Sequence, residues 1–201
     1  MKLIGMMDSP YVRRVAVSLA LYDVEFESQT LSVFSTFEEF SQQNPVVKAP
    51  TLVLDDGTAL MDSTLILHYF EAVADASHKL LPQRPQALAE DLRLLGLILA
   101  ASEKAVQHVY EHHLRPAEKQ HQPWIERMTR QLLAACREWD RALEKRQFGE
   151  KADQVAISST VVWTFIQQMI PAVVAVAEFT SIQRVNARFE TQPAFQRYPH
   201  G

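Results

Sequence analysis

Ser9, followed by Pro10 and placed just after the apolar run Leu3-Ile4-Gly5-Met6-Met7, is the first residue whose type and position suggest chemistry. Serine ahead of proline reads as a helix start: the side-chain oxygen caps, and the proline takes the first helical position, where its missing N–H costs little. Such a terminus presents unpaired N–H groups and the positive end of the helix dipole, which favour an anion, and the hydroxyl can donate a hydrogen bond to a thiolate. Asp62-Ser63 opens a second helix in the same way, and its unpaired N–H groups suit a carboxylate. At both places the alternative is plain capping with no ligand. A third pattern, His108-Val109-Tyr110-Glu111-His112, puts two imidazoles one helical turn apart with a carboxylate between them, as in zinc peptidases of the His-x-x-Glu-His type. Zinc catalysis needs a third protein ligand and a cleft, and neither is evident, so no metal is expected. Cys136 falls on the apolar side of its helix and reads as core packing.

The composition bounds what these residues can serve. A chain of 201 residues, 47% hydrophobic and 22% charged, is long enough for one large domain or two small ones. The net charge of −4, with no basic cluster interleaved with aromatics, excludes a nucleic-acid footprint. One cysteine excludes an internal disulfide framework and the paired-thiol zinc motifs, and fits a reducing compartment. The N-terminus lacks the pattern of a secretory signal. The longest uncharged stretch, residues 154–177, carries glutamines, serines and Pro171, which predicts two packed helices and no membrane span. A cytoplasmic location is expected.

The elements that must position the candidate residues fall into two groups. Residues 1–75 mix strand and helix signals: a short buried strand over 3–7, a helix from Ser9-Pro10, a strand over 25–31, an irregular helix, a hairpin over 50–61 turning at Asp55-Asp56-Gly57, and a helix from Asp62-Ser63 with Ile66, Tyr69, Phe70 and Val73 on one face. Pro82 and Pro85 break the pattern, so residues 76–86 read as a linker. Residues 87–201 read as an all-helical domain, with Leu88, Leu92, Leu95 and Leu99 on one long helix and Ile125, Met128, Leu132, Cys136, Trp139 and Leu143 on another. Charge divides the same way: residues 1–75 hold 4 basic and 11 acidic side chains, the remainder 16 and 13.

Taken in order, Ser9-Pro10-Tyr11-Val12-Arg13-Arg14-Val15, the stretch Asn44-Pro45-Val46-Val47-Lys48-Ala49-Pro50-Thr51-Leu52, and Asp62-Ser63 resemble the glutathione transferase family. The resemblance runs the length of the chain, with Tyr110-Glu111, Leu114-Arg115-Pro116 and Gln122-Pro123-Trp124 similar to bacterial members. It implies an α/β thioredoxin-like N-terminal domain followed by an all-α C-terminal domain, and a homodimer that binds glutathione and a small electrophile. It further implies that Ser9 stabilises the glutathione thiolate, that Ser63 takes the γ-glutamyl carboxylate while Asp62 helps hold the amino group, that Ala49 pairs with the cysteinyl unit ahead of a cis Pro50, and that Lys48 attracts the glycyl carboxylate. Tyr11 and Tyr110 would line the second-substrate pocket, although aromatic residues on helices are more often core.

The chain departs from the family pattern in places. Val47 stands where many relatives have glycine and Ala49 where they often have valine; Asp153 matches a capping aspartate, but Glu150 stands where serine or threonine is usual. With serine in place of the cysteine of thiol-transferring relatives, conjugation, isomerisation and peroxide reduction are the reactions implied. The rival expectation is a non-catalytic transferase-like binding protein, and a zinc peptidase stands third.

Overall fold

A computed structural model describes residues 1–201. The chain divides into two compact units, residues 1–81 with 191–201, and residues 82–190.

In the first unit the strands are β1 (Lys2–Ile4), β2 (Glu27–Gln29), β3 (Thr51–Val53) and β4 (Ala59–Leu60), and the helices are α1 (Pro10–Leu21), α2 (Phe37–Gln43), α3 (Ser63–Val73) and, at the far end of the chain, α8 (Pro193–Arg197). The four strands form one mixed sheet ordered β2-β1-β3-β4, with β1 parallel to β2 and antiparallel to β3. Leu3 pairs with Leu52 in the centre, and both are fully buried. This is the thioredoxin-like arrangement expected from the sequence, although β1 ends at Ile4 because the chain turns at Gly5. Gly5 holds φ +141, and a Cβ there would lie 2.5 Å from a methyl of Val12 and 3.3 Å from Cβ of Ala49. Only glycine lets β1, the first turn of α1 and the loop at Ala49 meet so closely.

Helix α1 buries nine of its twelve residues, so its two charged side chains, Arg13 and Arg14, go inside with the valines. Arg13 is fully buried, and its Nε donates to the Tyr198 carbonyl at 2.7 Å, fastening residues beyond α8 to α1. Helix α3 buries Ser63, Ile66, Leu67 and Phe70. The expected face is therefore corrected: Tyr69 and Val73 point outward with Leu65, at 39%, 60% and 60% exposure. Ile66 and Phe70 are enough to seal α3 on its inner side; the others share an outer stripe at spacing four.

The second unit contains α4 (Pro85–His113), α5 (Gln122–Leu143), α6 (Gln154–Met169) and α7 (Thr180–Phe189), with short 3-10 turns at Ala117–Lys119 and Val176–Glu178. Met128, Leu132, Cys136, Trp139 and Leu143 form the buried row of α5, as their spacing predicts, while Ile125 at the head of the expected row is only half-buried. On α4 the buried row is Asp91, Leu94, Leu95 and Ile98, while Leu92 is exposed. Twelve residues of α6 are buried, which makes it the central helix of this unit. The uncharged stretch 154–177 is thus one helix followed by irregular chain, not two helices, because Pro171 has no N–H to continue the ladder. No helix is long and apolar enough to cross a membrane.

Asp153 caps α6, its Oδ1 accepting the Ala156 N–H at 2.8 Å, the capping role that its match to the family pattern implies. Its other oxygen accepts from Arg146, which also reaches both oxygens of buried Asp91.

Candidate functional site

Ser9 is the N-cap of α1, in extended backbone conformation, and its Oγ accepts the Val12 N–H at 3.4 Å. That bond is long and uses a lone pair, so the hydroxyl proton remains able to point elsewhere. Capping and donation to an anion are compatible at this residue. No acidic side chain sits in the first turn of α1 to neutralise its positive end.

The loop ahead of β3 is pinned from beneath. Asn44 donates through Nδ2 to the Thr51 hydroxyl at 2.8 Å and accepts the Val46 N–H at 3.0 Å, and the Thr51 hydroxyl donates to the Lys48 carbonyl at 2.6 Å. This presents Lys48, which is exposed, and half-buried Ala49, whose bond to Pro50 is cis. Through the Gly5 contact, Ala49 lies beside the first turn of α1. Val47 holds φ +50, the left-handed region that costs a β-branched residue on the order of 1–3 kcal/mol. That conformation explains why glycine is usual there; part of the cost is offset by packing of Val47 against Ile4, Leu31 and Phe40.

Asp62 caps α3 with Oδ1, which accepts the Thr64 and Leu65 N–H groups at 2.8 and 3.3 Å, and its carboxylate is exposed. Ser63 is buried, and its hydroxyl is met by the guanidinium of Arg14, Nη1 to Oγ 3.4 Å, with Thr64 Oγ1 at 3.5 Å. Arg14 is 3% exposed, its Nε has no partner, and it makes no ion pair; burial pushes its pKa down to about 10, with Asp62 pulling the other way. It remains a cation at neutral pH, placed at the positive end of a helix. In the sequence Arg14 is one residue of the stretch from Ser9 to Val15, and nothing local to it assigns a role. The available signal was composition: a helix whose only two charges are adjacent and flanked by apolar residues has no charged face to put them on.

Helix α1 therefore joins three of the expected positions: Ser9 at its start, Ala49 against its first turn, and Ser63 against Arg14. Tyr11 is half-buried on the same helix.

Tyr110 belongs to the second unit, where it is 42% exposed and lines a cleft of about 520 Å³ with Leu114, Arg115, Lys119 and Trp124. The His-x-x-Glu-His pattern closes the connection between α4 and α5. Glu111 accepts from the His121 N–H at 3.1 Å and from Arg115 Nε at 2.9 Å, and these two, the first above all, hold its carboxyl below the usual range. His112 donates through Nδ1 to the His108 carbonyl at 2.8 Å, and the two rings stack at 4.3 Å. No group of three His, Cys, Asp or Glu side chains that could hold a metal ion occurs in the chain. Cys136 is buried, which raises its thiol to about 12.

Comparison with known proteins adds independent findings. Residues 3–78 match the family described as "Glutathione S-transferase, N-terminal domain". An uncharacterised GST-like protein of Escherichia coli strain K12 is 29% identical over 130 residues, which cover 59% of this chain and 64% of that protein. The chain thus spans less than two thirds of that curated relative. A glutathione S-transferase of Methylobacterium radiotolerans, solved in complex with glutathione sulfonate, superposes with a TM-score of 0.90 at 25% identity, covering 100% of this chain and 95% of the other. A glutathione S-transferase of Methylobacillus flagellatus with bound glutathione superposes at 0.88, also 25% identical, covering 98% of each.

Proposed function

We propose that the chain is a glutathione transferase whose first unit holds glutathione as co-substrate, a reading supported by the match of residues 3–78 to the glutathione S-transferase N-terminal domain and by the fold it shares with solved glutathione S-transferases. The observation that carries the reading is the reach of α1: one helix sets Ser9 at an anion-favouring terminus and Arg14 behind Ser63. The two solved relatives that hold glutathione or its sulfonate support it.

In this reading the γ-glutamyl carboxylate meets Ser63 and the start of α3, its charge matched by Arg14, while the Asp62 carboxylate holds the amino group. The cysteinyl unit pairs with the backbone of Ala49 ahead of Pro50, and Lys48 draws the glycyl carboxylate. The thiol then lies at Ser9, where the hydroxyl and the N-terminal N–H groups of α1 favour the thiolate. Lowering a thiol pKa from about 8.5 by roughly two units requires about 2.7 kcal/mol of preferential stabilisation, within reach of one charge-assisted hydrogen bond and a helix terminus. The thiol proton leaves to solvent, and the sulfur lone pair forms a bond to an electrophilic carbon, whose displaced electron pair departs with a leaving group or takes up a proton. The electrophile is small and apolar in part, and we assign it to Tyr110, which lines the cleft of the helical unit. Conjugation is the reaction we assign, in a detoxifying role in the cytoplasm; isomerisation and peroxide reduction use the same thiolate.

The outer stripe of α3, Leu65, Tyr69 and Val73, supports a homodimer, since three apolar side chains at spacing four offer a self-complementary face. Light scattering at micromolar concentration tests it against the 22.9 kDa of one chain.

The test of the function follows the ultraviolet absorbance of the bound thiolate against pH. Ser9→Ala is expected to raise the pKa of bound glutathione and lower turnover while affinity stays nearly unchanged. A wild-type titration in that variant removes Ser9 from the mechanism. Glutathione binding without any turnover on electrophiles would favour the non-catalytic alternative.

A further inference from the structure

The cleft of the helical unit has a chemical character of its own. Tyr110, Leu114 and Trp124, at 42%, 55% and 39% exposure, are three of the large apolar side chains that the fold leaves open, and all three line this one cleft. Its volume, about 520 Å³, suits a small organic ligand, and clefts of this kind bind through apolar walls with a few placed polar groups. The polar groups here are unequal. Glu111 is committed, one oxygen to Arg115 and the other to the His121 N–H. Arg115 is neutralised by that pairing. Lys119, at the end of the 3-10 turn, also lines the cleft and pairs with no carboxylate, so Glu111, Arg115 and Lys119 together leave one positive charge in excess beside an aromatic surface.

We propose that this cleft selects electrophiles that carry an anionic group on a flat aromatic body, the anion drawn to Lys119 and the body lying against Tyr110 and Trp124. The proposal rests on the transferase reading for the word electrophile and names the substrate class that the reading leaves open. A carboxylate or sulfonate supplies the charge that Lys119 lacks, and a ring covers apolar surface that otherwise faces water. A neutral aromatic gains only the second of these. Both charges are near solvent, so the preference weakens as salt is raised.

The test uses unreactive probes, so that binding is read without turnover. Titration of the full chain with 1-naphthoate and with 1-naphthylmethanol, at neutral pH and low salt, compares two ligands of the same body that differ in charge. Naphthoate is expected to bind about tenfold more tightly, Lys119→Met to abolish that difference while leaving the alcohol unaffected, and Trp124→Ala to weaken both. Equal affinities, a preference that survives Lys119→Met, or no binding of either probe overturns the proposal. Glutathione is titrated in parallel. Loss of glutathione binding with the naphthoate preference intact sinks the transferase reading and leaves the anion site standing, whereas normal glutathione binding without the preference sinks the anion site alone.

Discussion

Arg14 is buried and Arg146 half-buried, one in each unit, and the fold treats the two charges in opposite ways. Burial disfavours the charge of Arg146, yet hydrogen bonds from it to Asp91 and Asp153 and their charges hold its pKa above the ordinary value. Arg14 donates only to two hydroxyl oxygens, at 3.4 and 3.5 Å, and falls to about 10. Desolvating a charge costs several kcal/mol unless an opposite charge offsets it. At Arg146 the offset comes from within the chain, which marks a structural element tying α4 to the cap of α6. At Arg14 only the charge of Asp62 opposes burial and no ion pair forms, so at the start of α3 the cation is left incompletely matched, as the proposed glutathione reading requires. His108 shows a third treatment: buried against the ring of His112, it has its pKa lowered by burial first and by that neighbour second, so it avoids the charge by losing the proton.

The comparison breaks most visibly if Arg146 can be removed without penalty. Arg146→Met strands Asp91, which is 3% exposed, and is expected to cost about 3 kcal/mol or more in chemical denaturation. Adding Asp91→Asn to that variant should recover part of the loss, since the two residues couple. Simple additivity would show that the pair is not the source of the effect.

Arg14→Met is the sharper half. It is expected to leave folding stability within about 1 kcal/mol of wild type or improve it, because the unpaired cation disappears, and to weaken glutathione binding by about tenfold or more, corresponding to one charge-assisted interaction. Calorimetry of glutathione beside denaturation of the apo protein separates the two. A variant that unfolds but binds normally when folded would make Arg14 structural, like Arg146.

Ser63→Ala removes the hydroxyl that Arg14 touches and should weaken glutathione by a smaller factor, about fivefold to tenfold, with Arg14→Met adding little further loss in the double variant. Full additivity of the two would place them in separate sites.

The smallest effect belongs to His108. Its folded pKa lies below the unfolded value of about 6.5, so the unfolded chain binds the extra proton first, and stability declines as pH falls through 6.5 and stops declining below the folded pKa. His108→Gln is expected to flatten the stability profile in that window, measured as thermal midpoint against pH. An unchanged slope would transfer the effect to another histidine.

What the sequence determined by itself is local. The helix starts at Ser9-Pro10, Asp62-Ser63 and Asp153, the turn at Gly57 and the buried row of α5 all follow from interactions that span four residues or fewer, and each appears in the structure where its residues stand. Ser9 and Asp62-Ser63 were legible for the same reason, because a capping residue announces its own helix, whereas Lys48, Ala49 and Pro50 were implied only by the family resemblance. Tertiary structure alone decided which of the apolar residues on α3 face outward, what the His-x-x-Glu-His pattern binds, and that residues 191–201 pack with the first unit. It also decided the fate of the arginines: Arg14 meets Ser63 across 49 residues of chain, and Arg13 meets Tyr198 across 185. A capping bond forms between near neighbours whatever the rest of the chain does, whereas the cost of a buried charge depends on the groups that distant segments bring to it. No periodicity in the sequence records those groups.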